Sequence, residues 1–229
     1  MPMSDLHPFS NRSRYSSIPR RAAVLLLAMA WISVALCGEI HDAARAGDLA
    51  KVKALLEADA HLVSSKDTNG CTALLLAAAN DQKDIVELLL ARKANVNAKE
   101  NFDGCTPLHV AAAKGYNDVI EALLTSKAEV NARNSMGQTP LHMAALAGDN
   151  SVLQLLLASK AKVNAKDKSG STPLHCAALG DEKDVAESLL ASGAEVNAKN
   201  DKGATPLHWA VEEENEQVAA VLRQHGGHE

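Results

Sequence analysis

A four-residue phrase that returns at a fixed interval limits what this chain can fold into more than any other feature. Thr106-Pro107-Leu108-His109 recurs as Thr139-Pro140-Leu141-His142, Thr172-Pro173-Leu174-His175 and Thr205-Pro206-Leu207-His208, each copy 33 residues after the last. A degenerate copy, Thr72-Ala73-Leu74-Leu75, lies 34 residues before the first. A second phrase keeps the same beat: Val96-Asn97-Ala98, Val130-Asn131-Ala132, Val163-Asn164-Ala165 and Val196-Asn197-Ala198. The one extra residue falls in Asn101-Phe102-Asp103-Gly104, where the next copy holds Asn134-Ser135-Met136-Gly137. A period of this length describes a stack, in which each unit buries its apolar face against its neighbours.

The unit can be read from its side chains. Thr106 offers an oxygen to an orphan N–H at a helix start, and Pro107 suits the first helical position. Leu108, Ala111 and Ala112 give an apolar face at helical spacing, and Gly115 ends the first helix. A second helix is expected from Asp118 to about Ser126, burying Val119, Ile120, Leu123 and Leu124. Asn131-Ala132 and the residues up to Gly137 then turn toward the next unit. Aromatic residues make up only 3% of the chain. The core must therefore come from Ala, Leu and Val, which favours helices packed closely through Ala pairs.

These residues resemble the ankyrin-repeat family, whose units of 33 residues carry a turn and two helices. The resemblance implies an all-α solenoid of about six units over residues 39–66, 67–99, 100–132, 133–165, 166–198 and 199–229. It also implies a non-enzymatic, monomeric protein-binding module with no cofactor and no metal. The structural motif would be Thr106, Pro107 and His109 with Thr139, Pro140, His142, Thr172, Pro173, His175, Thr205, Pro206 and His208. The ends differ from the middle, as stack termini must. The first unit begins Ile40-His41-Asp42 without the Thr-Pro entry, and the last carries Glu212, Glu213, Glu214 and Glu216.

Ahead of the repeats lies a different kind of sequence. Residues 1–21 hold four Arg against Asp5 alone, whereas residues 39–229 hold 19 Lys and Arg against 27 Asp and Glu. Residues 22–37 read AAVLLLAMAWISVALC, an uncharged run behind Arg20-Arg21. A basic region, an apolar region and small residues after it describe a secretory signal peptide within residues 1–38. Its long basic region with three Pro instead suits an uncleaved membrane anchor, although the run is shorter than the roughly 20 residues that span a bilayer. Either way positive charge stays on the cytoplasmic side. The repeats are then expected outside the cytoplasm, periplasmic or secreted, with the membrane met only through this segment. The formal net charge of −5 argues against a nucleic-acid partner.

Side chains with chemical potential recur in register. His41, His109, His142, His175 and His208 occupy one position per unit. The family resemblance implies that this His is structural and hydrogen-bonds across turns between units, and helices about 8–10 Å apart cannot bring neighbouring imidazoles to one zinc at about 2 Å per bond. His225 and His228 offer a weak metal-binding pair or a flexible tail. Cys71, Cys105 and Cys176 are expected as free thiols. No phosphate loop, GxSxG or HExxH pattern is present. A second column, Lys66, Lys99, Arg133, Lys166 and Lys199, opens each turn. Beside it fall Phe102, Met136, Leu146 and Leu179. The family resemblance places these on the concave, partner-binding face, either as a groove with a basic rim and an apolar centre suited to an acidic protein segment, or as the family's common basic residue, solvated or paired with a neighbouring Asp, beside a partly buried Leu146 and Leu179.

Overall fold

The computed structural model describes residues 38–229. The leader, and with it the choice between cleaved signal and anchor, lies outside the described residues. Among the described residues no helix is long and apolar enough to cross a membrane.

Twelve α-helices follow one another in six pairs, with no strand among the described residues. They are α1 (38–46) and α2 (Leu49–Ala58), α3 (Ala73–Ala79) and α4 (Lys83–Ala91), then α5 (Pro107–Lys114) and α6 (Asn117–Thr125). The series continues with α7 (Pro140–Ala147) and α8 (Asn150–Ala158), α9 (Pro173–Leu179) and α10 (Lys183–Ala191), and α11 (Pro206–Glu212) and α12 (Glu216–Gln224). A short 3₁₀ turn, Ala60–Ser64, follows α2. The first helices from α3 to α11 pack side by side as an inner row, and the even-numbered helices form an outer row behind them. Hairpin-like turns connect each pair to the next.

The inner helices are only seven or eight residues long from α3 onward, too short to be stable alone. Their stability comes from burial. Leu108, Ala111 and Ala112 on α5, and Leu141, Ala144 and Ala145 on α7, are shut away from solvent. With a methyl group as the whole side chain, the Ala pairs let neighbouring backbones approach. The outer helices supply bulk: Val119, Ile120 and Leu123 on α6 and Val152, Leu153 and Leu156 on α8 are fully buried. Leu124, expected inside, is only half-buried, packed against the edge of the core where it faces the seam between outer helices. α6 also starts one residue earlier than the sequence suggested, at Asn117.

From the second unit onward, the turns that end both helices of a unit use a left-handed residue. Gly115 (φ 77°) and Gly148 (φ 72°) supply it between the inner and outer helices of their units. Asp81, Asp181 and Glu214 stand at the same point with φ of 57°, 55° and 59°. At the end of the outer helix, Gly193 has φ 89°, and Lys93, Lys127 and Lys160 adopt φ of 64°, 65° and 69°. A side chain in this region costs roughly 1–2 kcal/mol, so the chain carries backbone strain at six non-glycine positions.

Candidate partner-binding surface

The histidine column is a set of clasps between units. The Thr106 main-chain N–H donates to His109 Nδ1 (3.2 Å), closing a capping box with His in the place usually held by Glu or Gln. That bond makes Nδ1 the acceptor, so Nε2 carries the proton and donates to the Gln138 carbonyl of the next unit (3.1 Å). His142 and His175 repeat the arrangement onto the Ser171 and Ala204 carbonyls, each at 3.1 Å. His41 reaches the Ser65 carbonyl at 3.2 Å. Burial depresses the pKa of His109, His142 and His175 below its ordinary value, which fixes the neutral ring that the clasp requires. The ends of the column depart from the pattern. Leu75 replaces the ring in the second unit, and His208 stands half-exposed with Glu212 at 3.9 Å.

The Val-Asn-Ala phrase is a second clasp whose role the sequence did not disclose. Asn131 Nδ2 donates to the Lys160 carbonyl (3.2 Å) while its Oδ1 accepts from the Lys162 N–H (2.8 Å). Asn164 does the same with Gly193 and Glu195, and Asn197 with Gly226 and His228. The last of these pins the tail. Thr205 Oγ1 also donates to the His228 carbonyl (2.8 Å), and the His225 ring bonds the Val221 carbonyl (2.9 Å). The expected flexible tail is thus tied to the sixth unit. Among the described residues no three His, Cys, Asp or Glu side chains converge on a common point.

The turns are closed by an acceptor directly after each basic residue. Asp67, Asn134, Asp167 and Asn200 each accept two main-chain N–H groups across their own turn. The second of these turns is one residue longer, and there the longer Glu100 takes over. Its carboxylate accepts from the N–H groups of Phe102 (2.6 Å), Asp103 (2.9 Å) and Cys105 (2.9 Å). Burial alone would raise the Glu100 pKa, but these donors together outweigh it and hold the group below the usual carboxylate range. Neighbouring turns are stitched by main-chain bonds, such as Lys168 N–H to the Met136 carbonyl and Asp201 N–H to the Ser169 carbonyl, both 2.9 Å.

The basic column has a structural use. Lys66 Nζ donates to the Lys99 carbonyl (2.9 Å), Lys99 Nζ to the Arg133 carbonyl (2.8 Å), an Arg133 guanidinium N–H to the Lys166 carbonyl (2.7 Å), and Lys166 Nζ to the Lys199 carbonyl (2.9 Å). Each head group ties its own turn to the next. Asp67, Glu100 and Asp167 directly follow Lys66, Lys99 and Lys166 in the chain, so carboxylates alternate with the basic groups along the turns. The head groups of Lys66, Lys99, Arg133 and Lys166 form a carbonyl ladder.

The apolar members of the expected groove lie open to solvent. Phe102, at the tip of the enlarged turn, is 75% exposed, Met136 53%, Leu146 43% and Leu179 42%. Leu146 and Leu179 occupy the same register on α7 and α9. Trp209 was not singled out as a site residue. Its signal was its place just after the motif His, where Val110, Met143 and Cys176 stand in other units. It is half-buried, meets the His175 ring edge-on at a centroid distance of 5.2 Å, and lines a cavity of about 440 Å³ with Ser169, Asp201, Lys202, His208 and Glu212.

The thiols offer no nucleophile. Burial pushes the Cys176 pKa up to about 12 and raises those of Cys71 and Cys105, so each is a protonated thiol at neutral pH. All three are free.

A search of curated proteins returns no match. The family model for ankyrin repeats, itself three repeats long, matches residues 40–134, 121–200 and 141–229, which together span the whole stack. Ankyrin repeats mark a protein–protein interaction module in a family that is generally non-enzymatic. With its repeating clasps, paired helices and stitched turns, the chain belongs to the ankyrin-repeat family.

Proposed function

We propose that the chain binds a protein partner across its inner helices and turn tips, outside the cytoplasm. The observation that carries this reading is the exposure of Phe102 and Met136 at turn tips and of Leu146 and Leu179 on inner helices, with Val211 on α11 exposed as well. Large apolar side chains clustered on one face are what association removes from water. The basic column contributes less than the sequence suggested, because its head groups serve the ladder and carboxylates sit beside them. The case for an acidic partner weakens accordingly.

The location rests on the leader sequence. Mass measurement of the mature chain separates its two forms: a start near residues 36–39 means release, and retention of Arg20 means a tether. A tethered chain would serve as a structural or assembly factor of the envelope, which is the second reading that residues 22–37 support. The binding face is tested by capture of a partner from an envelope extract on residues 39–229, followed by kinetics. Met136→Ala and Leu146→Ala should speed dissociation by roughly tenfold each, the cost of a central apolar contact. Charge reversal of Glu121 and Glu187 on the outer helices should change little. Loss of binding on the outer reversals, with the inner truncations neutral, would place the interface on the other face.

A further inference from the structure

The inner face changes character along the stack. At one register it reads Ala113, Leu146, Leu179, Glu212, and at the next Lys114, Ala147, Gly180, Glu213. All eight residues are exposed. The surface is thus basic or small on α5, apolar on α7 and α9, and doubly acidic on α11. The carboxylates of Glu213, Glu214 and Asp201 make no ion pair among the described residues, and Glu212 has only His208, at 3.9 Å. Lys202 shares the cavity beneath Trp209, and Arg223 lies with Glu214 and Glu216 on the far side of α11. Even with both counted, acidic groups prevail at this end.

Resting on the proposed function, we infer that the partner segment seated on this face is apolar in its middle and carries a Lys or Arg where it reaches α11. A segment long enough to cover Leu146 and Leu179 continues over Glu212. An apolar side chain there would strip water from a carboxylate whose one neighbour is His208 at 3.9 Å, and an acidic one would be repelled, whereas a basic one pairs with it. Trp209 adds an aromatic surface suited to a cation beside the same carboxylate. Units about 8–10 Å apart match one turn of a polyproline II segment, three residues at about 3.1 Å each, which brings every third side chain back to the same face. The recognised pattern is therefore apolar–x–x–apolar–x–x–basic, running toward the sixth unit. The charge gradient gives the segment a direction that an apolar row alone would not.

The test is selection of a phage-displayed random dodecapeptide library on the full chain, with affinities of synthetic winners measured by fluorescence anisotropy. Winners should carry spaced apolar residues and a terminal Lys or Arg. Glu212→Lys with Glu213→Lys should weaken them at least about tenfold and, on reselection, enrich acidic residues at that end. Thermal melts of this variant report its folding, and Glu121→Lys serves as the charge-reversal control on the outer face. Winners lost on Leu146→Ser and Leu179→Ser but indifferent to the Glu212 and Glu213 reversal would overturn the inferred polarity and leave the binding face standing. Winners lost only on Glu121→Lys would overturn the binding face itself. No enrichment over bare support would reject recognition of a linear segment.

Discussion

Lys93, Lys127 and Lys160 sit at positive φ where Gly193 shows what the turn prefers. Changing all three to Gly relieves roughly 1–2 kcal/mol at each site, and added freedom in the unfolded chain takes back up to about 1 kcal/mol each. The net gain should raise the melting temperature by a few degrees, measured by calorimetry; an unchanged or lower value would mean these turns rest in another conformation. The histidines give a pH signature. Their folded pKa values lie below the unfolded value of 6.5, so above pH 6.5 both states are neutral and the clasps contribute fully. As pH falls below 6.5 the unfolded chain takes up protons that the folded chain refuses, and stability declines. The slope approaches about 1.4 kcal/mol per pH unit for each ring. Urea midpoints between pH 7.5 and 5 should track this fall, and His142→Gln should flatten it by about a third. A midpoint that holds steady would show the rings free to ionise in place. The Thr-Pro caps were legible in the sequence because a cap and its helix are contiguous. The imidazole's bond across units came from the family resemblance alone, because its carbonyl lies 29 residues away and nothing in the local sequence marks it.

At the scale of the element, each helix borrows its stability from the units on either side. Leu123→Ala on α6 removes a fully buried side chain and should cost about 2–5 kcal/mol by chemical denaturation. Leu124→Ala, on the half-buried seam, should cost clearly less; equal losses would mean the outer row packs differently. The turns obey a different rule. Arg133→Glu breaks the bond to the Lys166 carbonyl and places a carboxylate against it, so its first effect should be a lower melting temperature. Arg133→Gln, which keeps a donor and loses the charge, separates ladder from field. If Gln binds the partner like wild type while Glu both melts early and binds poorly, the column acts through structure. Helical periodicity set the register of Leu146 and Leu179, but which sector of an inner helix stays uncovered depends on neighbours the register does not name.

Across the described units, cohesion comes from three sets of bonds between neighbours: the imidazoles of His109, His142 and His175, the Asn side chains from Asn97 onward, and the basic head groups. Each rung joins one unit to the next. Stacked units are coupled mainly to their neighbours, so Asn131→Ala should loosen its own junction more than distant ones. Amide exchange should show faster opening around Lys160–Lys162 with the first and last units little changed. Uniform acceleration would mean the stack opens as one piece.

The sequence by itself determined the period, the six helix pairs and their caps, because those depend on residues a few positions apart and on a beat that repeats. It marked the unusual second turn through its extra residue and placed Phe102 at the tip. Tertiary structure alone decided what the columns do. A lysine every 33 residues reads as a charged stripe until the next unit brings a carbonyl within 3 Å of it. The Asn of the second phrase reads as a turn residue until two groups of the following unit converge on its amide. The apolar row and its acidic end become a surface only once the outer helices have covered everything else. Stacking turns sequence intervals into distances, and hydrogen bonding, desolvation and charge pairing all depend on distance.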